Sequence, residues 1–344
     1  MEKQLLITKE QIIPSRPDFE VIGAFNPGCI SYQDETLLLI RVAERPIQND
    51  LIHYLVPVYS PMSKTILIEK IDRYNPEYDF SDKRVIANGK QKYLTSISHF
   101  RLARSKDGIH YTIADKPTIF PETVYEEFGI EDPRITKIGK TYYISYSAVS
   151  RHGINGCIIK TKDFITFERL GIAFTSDNKD IVLFPRKIKG NYYALHRPSS
   201  SEYGKLDIWL ASSKDLIHWG NHSVFLKSRK ESYDNFRLGA SAVPFLDKHG
   251  WIEIYHSGSS DNEYALSTVL LDRHNPSIVL KRSKVALIKP EEKYETNGFF
   301  GKVVFSCGAI VNHDHVMVYY GVSDENIACA KVSFGELYQN LGIA

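Results

Sequence analysis

The chain has 344 residues and almost balanced charge, since 43 lysines and arginines face 41 aspartates and glutamates. The length allows a large buried core, and the balance gives no electrostatic argument for nucleic acid or an anionic membrane as a partner. Neither the length nor the charge tells whether the chain forms a homo-oligomer.

The cysteines and the hydrophobic pattern narrow the class of protein further. Cys29, Cys157, Cys307 and Cys329 are scattered without metal-ligand spacing, so we predict no metal site. No apolar run is long enough to cross a bilayer, and residues 1–10 show no signal-peptide pattern. We therefore expect a cytoplasmic protein.

A short turn motif recurs along the chain. SKDGIHY at 105–111 resembles TKDFITF at 161–167 and SKDLIHW at 213–219, and LDRHNP at 271–276 is a weaker copy. The turn aspartates recur about every 55 residues, each after an apolar strand. An aspartate in such a place bonds its own downstream backbone, which predicts a β-turn between two strands.

Hairpins recur at the same period. Gly139, Gly190 and Gly250 mark their tips, and each is followed by a strand that ends in polar residues. Units of this length built only of strands are typical of a β-propeller. We predict an all-β, five-bladed β-propeller that forms one domain over residues 1–344, with one short helical turn near 121–127. A two-sheet β-sandwich is the alternative, but it does not explain the period.

The sequence GIEDPR at 129–134 concentrates polar groups before the strand-like run 141–147. Pro133 fixes its own φ and is expected to hold Asp132 in an extended conformation at a strand entrance. Taken alone, this stretch also fits an Asp-Pro turn with a surface ion pair.

Polar side chains occupy corresponding strand ends in successive units, and a propeller would bring those ends to one axis. Taken singly, an arginine in such a place is usually a salt-bridge partner, and a histidine is usually a hydrogen-bonded group between blades. An asparagine or a Lys-Asp pair is usually part of a turn. Recurrence at equivalent positions instead favours a common site. The candidates are Asn26, Arg41, Ser98, His99, Asp132, Arg134, Lys179, Asp180, His196, Arg197, Asp234, Arg237, His256, Tyr264, Phe305 and Asp324.

The residue types suggest a particular chemistry. Lys179, Arg197 and Arg237 in one pocket would bind a compact anion such as phosphate, and Asp132 would protonate a leaving oxygen. Inverting hydrolysis needs a second carboxyl to activate water, whereas phosphate is already a nucleophile. One acid beside a basic cluster therefore favours phosphorolysis.

Several motifs together resemble glycoside hydrolase family 130, the mannoside phosphorylases, over residues 23–324. Within that family they are most similar to the branch of β-1,2-mannobiose and β-1,2-oligomannan phosphorylases. The motifs are GIEDPR at 129–134, NKDIVLFP at 178–185, HRP at 196–198, WG at 219–220, RLGA at 237–240, GFFG at 298–301 and VVF at 303–305.

This resemblance implies a five-bladed propeller, phosphate as co-substrate without a metal or other cofactor, and inversion to α-mannose 1-phosphate. Asp132 matches the catalytic acid, whose proton passes through the 3-hydroxyl of the mannosyl unit. The phosphate-binding set is Lys179, His196, Arg197, Arg237 and His256. The sugar-binding set is Asn26, Arg41, Asp180, Tyr264, Phe305 and Asp324.

Two other hypotheses about the function stay open at this point. A branch of the family is hydrolytic, and Glu231, Asp234 and Glu263 lie near where a water-activating base would sit. The retained basic positions favour phosphorolysis over that reading. A non-catalytic propeller that binds glycans or proteins is the other alternative.

Overall fold

The computed structural model describes residues 1–89, 91–199 and 204–343, and strands dominate them. The strands are β1 (Glu2–Ile7), β2 (Phe19–Tyr32), β3 (Glu35–Pro46), β4 (His53–Ser60), β5 (Thr65–Asp72), β6 (Val85–Ala87), β7 (Lys92–Leu94), β8 (Ile97–Ser105), β9 (Thr112–Ile113), β10 (Gly129–Ile138), β11 (Thr141–Ser150), β12 (Gly153–Thr161), β13 (Glu168–Phe174), β14 (Asn178–Leu183), β15 (Tyr192–Pro198), β16 (Ile208–Ser213), β17 (Trp219–Leu226), β18 (Arg237–Ala240), β19 (Phe245–Leu246), β20 (Trp251–Gly258), β21 (Tyr264–Leu271), β22 (Val279–Arg282), β23 (Val304–Val311), β24 (His315–Val322) and β25 (Asn326–Ser333). The helices are α1 (Lys293–Thr296) and α2 (Phe334–Leu341), with 3₁₀ turns at Lys9–Gln11 and Val124–Glu126. The prediction of an all-β chain with a short turn near 121–127 is confirmed.

We group most strands of the described residues into five antiparallel units, of which units 1 and 2 belong to one eight-stranded sheet. Unit 1 comprises β2, β3, β8 and β9, unit 2 comprises β10–β13, and unit 3 comprises β14–β17. Unit 4 comprises β18–β22, and unit 5 comprises β23–β25 together with β1. In units 1 to 4 the recurring aspartate turn precedes the outermost strand.

The predicted turn chemistry is confirmed. The Asp107 carboxylate accepts hydrogen bonds from the backbone N–H groups two and three residues downstream, at 2.9 and 2.8 Å. Asp163, Asp215 and Asp272 accept the equivalent pairs. The same aspartate turn therefore follows the third strand in each of four successive units.

Units 1 and 2 are joined through one parallel bridge between Gly129 and Ser98. Gly129 has a φ of +110°, and an added Cβ would collide with the Ser98 backbone. Only glycine fits this close approach.

The first strands of units 1, 2 and 3 each contain a bulge. Asn26, Asp132 and Asp180 lie there with φ values of 48°, 53° and 56°, where the register of each strand shifts. The expectation of an extended Asp132 at a strand entrance is wrong, because the residue lies inside β10 in a left-handed conformation. The bulge requires that conformation, and Asn and Asp tolerate it better than most residues.

Two segments lie outside the repeat. Residues 47–96, which we call the insertion, separate β3 from β8 and carry the hairpins β4–β5 and β6–β7. Helix α2 was not predicted, although Ser333 at its N-cap accepts a hydrogen bond from the Glu336 N–H at 3.2 Å. None of the helices among the described residues is long and apolar enough to cross a membrane.

The N-terminal strand completes the last unit. β1 pairs antiparallel with β25, and Ile7 lies in a buried cluster with Ala24 of unit 1 and Tyr319 of unit 5. Residues 2–7 and 326–333 are thus held in one sheet.

We expect Ile7→Ala to lower the free energy of unfolding by about 3 kcal/mol, because it removes a buried side chain and leaves a cavity. Ile13→Ala is the matched control, since Ile13 is 61% exposed. Urea denaturation of both variants provides the measurement. Equal losses of unfolding free energy in the two variants would contradict the role of β1 in joining unit 5 to unit 1.

Candidate active site

A cavity of about 260 Å³ receives side chains from all five units. Phenylalanine rings and charged groups share its wall. Its lining includes Phe25, Asn26 and Arg41 from unit 1, Glu131 and Asp132 from unit 2, Lys179 from unit 3, Tyr264 from unit 4, and Phe305 and Asp324 from unit 5.

Asp132 is held on one oxygen by two donors. The Asn26 amide donates to its Oδ1 at 2.9 Å and Arg41 NH1 donates at 3.0 Å. Arg41 also donates to Glu131 Oε1 at 2.7 Å and to the Ser98 hydroxyl at 3.1 Å. The same arginine therefore orients both carboxylates.

The two aspartates of the cavity differ in proton affinity. Burial raises the pKa of Asp132, but the positive charges of Arg41, Lys179 and Arg134 outweigh burial and lower it to about 2. Burial raises the pKa of Asp324 to about 6; Arg41 opposes this rise and the Asp132 charge adds to it. The positive neighbours thus favour the ionised form of Asp132, whereas burial favours the protonated form of Asp324.

A buried ion pair lies behind the cavity. Arg134 NH1 donates to the main-chain oxygen of Asp132 at 2.9 Å, and its NH2 donates to Asp180 Oδ1 at 3.1 Å. Asp180 Oδ2 lies 3.0 Å from Arg197 NH1 and 3.3 Å from His256 Nε2. The structure thus places Asp180 among protein groups, outside the cavity lining.

The two predicted histidines also lie outside the lining. His256 packs behind Phe305, with ring centroids 4.2 Å apart, and burial lowers its pKa to about 4. His196 stacks on Phe174 at 4.5 Å, and burial followed by His222 lowers its pKa to about 3. Both rings are neutral at pH 7.

The three predicted cations differ in their partners. Arg197 is committed to Asp180 and to the Leu238 carbonyl, at 3.0 and 3.3 Å. Arg237 NH1 donates to the Tyr264 hydroxyl at 2.9 Å. In the ranges that the structure describes, no carboxylate pairs with Arg237 or with Lys179. Lys179 lines the cavity directly, whereas Arg237 is outside the lining and contacts the cavity wall through Tyr264.

Sequence reasoning missed the contribution of the insertion. Arg84, Thr95 and Ser96 line the cavity, as do Phe299 and Phe300. The Arg84 guanidinium lies over the Phe300 ring at 4.7 Å. The insertion belongs to no repeat, so the repeat could not indicate that these residues reach the cavity. Glu131 lies in the motif 129–134, but the sequence assigned it no role.

The residues considered as a water-activating base do not line this cavity. The buried Asp234 pairs with Arg229 at 2.7 Å and with Arg282 at 2.5 Å. Glu263 lines another cavity, and Glu231 is exposed. Among the described residues, no cluster of His, Cys, Asp or Glu could hold a metal ion.

Comparison with known proteins identifies the family of the chain. The glycoside hydrolase family 130 profile, described as beta-1,4-mannooligosaccharide phosphorylase, matches residues 45–341. The β-1,2-mannobiose phosphorylase of Listeria innocua is 44% identical, over 99% of this chain and 98% of its own. A 1,2-β-oligomannan phosphorylase of Thermoanaerobacter sp. is 40% identical, over 72% of this chain and 82% of its own.

A solved structure extends the likeness to three dimensions. The Listeria innocua enzyme in complex with β-1,2-mannobiose superposes with a TM-score of 0.96 at 44% identity, and the match covers 99% of both chains. The chain therefore belongs to glycoside hydrolase family 130, the mannoside phosphorylases.

Proposed function

We propose that the chain catalyses inverting phosphorolysis of β-1,2-linked mannosides. β-1,2-Mannobiose or a β-1,2-oligomannan reacts with phosphate to give α-mannose 1-phosphate and an acceptor shortened by one residue. The relatives described above act as phosphorylases by name. The observation that carries the proposal is the buried Asp132 carboxyl in a cavity with two nearby cations, Lys179 and Arg237, that have no carboxylate partner among the described residues.

Asp132 is the proton donor in this reaction. Its proton passes to the glycosidic oxygen through the 3-hydroxyl of the mannosyl residue, while the bond from C1 to that oxygen breaks. A phosphate oxygen forms the new bond to C1 from the opposite face, which inverts the configuration. Phosphate supplies the nucleophile, so no second carboxyl has to activate water.

The phosphate lies against Lys179 and Arg237, with Arg197 as the third cation. Arginine donors suit phosphate oxygens in bidentate geometry. In the part of the chain that the structure describes, the buried Nε of each arginine has no hydrogen-bond partner. His196 and His256 are neutral, so they shape this wall and contribute no charge.

The mannosyl residue contacts Asn26, Arg41, Tyr264, Phe305 and Asp324. All five line the same cavity as Asp132. Asp180, assigned to this set from the sequence, acts through Arg134 and Arg197 and positions the residues that touch the ligands.

We further propose that the five units are the blades of a single five-bladed propeller. A second cavity, of about 360 Å³, also takes residues from all five units: Cys29, Ile135, Arg186, Trp251 and Ala309. In units 1, 2 and 5 the first strand reaches from one cavity to the other, as the inner strands of a propeller do along its axis. We place this enzyme in the cytoplasm, where phosphate is available.

Hydrolysis by water is the alternative, since Glu131 and Asp324 also reach the cavity. Incubation with β-1,2-mannobiose, with and without phosphate, distinguishes the two reactions. Phosphorolysis gives mannose 1-phosphate only when phosphate is present. Release of mannose alone at the same rate without phosphate would reject the proposal.

We expect Asp132→Asn to lower kcat for phosphorolysis at least about 100-fold, because an amide cannot supply the proton. Asp34→Asn, an equivalent change at an exposed turn, is the control. Calorimetry should show that the Asp132 variant still binds mannobiose. Turnover close to that of the native enzyme would exclude Asp132 as the acid.

We expect Lys179→Met to raise KM for phosphate about tenfold or more, since a charge-assisted hydrogen bond is lost. Lys137→Met makes the same change at an exposed position beside the second cavity and should leave KM unchanged. Initial rates at varied phosphate test this. An unchanged KM in the Lys179 variant would place phosphate elsewhere.

We expect Asp324 to titrate near pH 6 in the ligand-free protein. In Asp132→Asn this pKa should fall, because a neighbouring negative charge is removed and Arg41 loses one competing partner. A ¹³C NMR titration of the aspartate carboxyls, with Asp324→Asn to assign the signal, measures the shift. If the pKa stays near 6, the two carboxyls are not coupled.

A further inference from the structure

A buried polar chain behind the Asp132 cavity has no part in the mechanism described so far. Glu253 Oε1 accepts a hydrogen bond from the Ser241 N–H at 3.1 Å, and the Ser241 hydroxyl lies 3.0 Å from His256 Nδ1. These three residues are completely removed from solvent, and none of them lines the cavity. Because buried polar groups are held by their hydrogen bonds, this chain fixes the orientation of the His256 ring.

The other nitrogen of the His256 ring faces the buried ion pair. His256 Nε2 lies 3.3 Å from Asp180 Oδ2, and the same oxygen lies 3.0 Å from Arg197 NH1. Gly239 lies opposite His256 in the ladder between β18 and β20, and an added Cβ would collide with both Nε2 and Oδ2. The missing side chain of Gly239 therefore lets the ring approach the carboxylate.

These contacts assign the proton of the ring. Burial lowers the pKa of His256 to about 4, so the ring is neutral at pH 7 and carries its proton on one nitrogen. An unprotonated Nε2 would direct its lone pair at the Asp180 carboxylate, whereas a protonated Nε2 is attracted to that carboxylate. Nε2 is therefore the protonated nitrogen, and Nδ1 accepts a hydrogen bond that the Ser241 hydroxyl donates.

The strand that precedes Ser241 also holds two arginines. The Leu238 carbonyl accepts a hydrogen bond from Arg197 NH1, and the Ala240 carbonyl accepts one from Arg134 NH2, both at 3.3 Å. Ser241 follows directly after this strand, β18. The serine thus lies where it can hold both the strand end and the ring that faces the ion pair.

We propose that Ser241 is a positioning residue for phosphate binding. Its hydroxyl holds the His256 ring with the Nε2–H toward Asp180, and Asp180 in turn fixes the guanidinium of Arg197. The proposal rests on the proposed function, in which Arg197 is one of three cations that hold phosphate. Without the hydroxyl the ring can turn away from Asp180, and Arg197 then loses its fixed position.

Binding of inorganic phosphate to the intact chain, measured by calorimetry, tests the effect on Arg197. We expect Ser241→Ala to weaken phosphate binding about fivefold, the cost of one lost hydrogen bond. The Kd for β-1,2-mannobiose in phosphate-free buffer should stay within about twofold of the native value, which also shows that the variant is folded. Ser267→Ala is the matched control and should change neither affinity, because Ser267 is completely buried in the neighbouring strand β21 and its hydroxyl has no hydrogen-bond partner among the described residues.

A ¹⁵N NMR spectrum of protein labelled at histidine tests the contact itself, with His256→Asn to assign the signals. We expect His256 to carry its proton on Nε2 in the native protein, and the Nδ1 signal to shift in Ser241→Ala. A proton on Nδ1 in the native protein, unchanged phosphate affinity in Ser241→Ala, or an equal loss of phosphate and mannobiose affinity would overturn the proposal. The native spectrum decides even if the variant does not fold. Neither measurement needs turnover, so absence of phosphate-dependent cleavage would count against the proposed function alone.

Discussion

The buried ion pair between Arg134 and Asp180 is the interaction on which the site depends. Both side chains are almost completely removed from solvent, with 3.1 Å between Arg134 NH2 and Asp180 Oδ1. Arg134 also donates to the main-chain oxygens of Asp132 and Ala240, so one guanidinium joins units 2, 3 and 4. A buried charge is costly when its partner is removed. Loss of either residue would therefore disturb the backbone that presents the Asp132 carboxyl.

The same backbone bulge serves three different purposes. Asn26, Asp132 and Asp180 share a left-handed φ in the first strands of successive units. Asn26 donates to the Asp132 carboxylate, Asp132 is the acid of the proposed mechanism, and Asp180 holds Arg134 and Arg197. The repeated strands thus supply equivalent positions, and substitutions at those positions provide the chemistry.

Local chemistry explains what the sequence could predict. The Asp107 and Asp215 turns depend on bonds within four residues, so the sequence could predict them. Asp132 stands in a specific motif, which predicted its place in the cavity but not its left-handed backbone. The insertion follows no repeat, and nothing in the order of residues indicated that Arg84 reaches the cavity. The sequence also could not predict which polar side chains are buried. Burial is the reason that His196 is a neutral ring stacked on a neighbour.

On the proposed mechanism, the arrival of the nucleophile also activates the acid. Arg41 and Lys179 lower the pKa of Asp132 to about 2. A phosphate bound to Lys179 would neutralise that charge and add a negative one nearby, and both changes raise the pKa of the carboxyl. Binding of the nucleophile would therefore favour the protonated form that donates to the leaving oxygen. Water carries no charge and would not produce this effect.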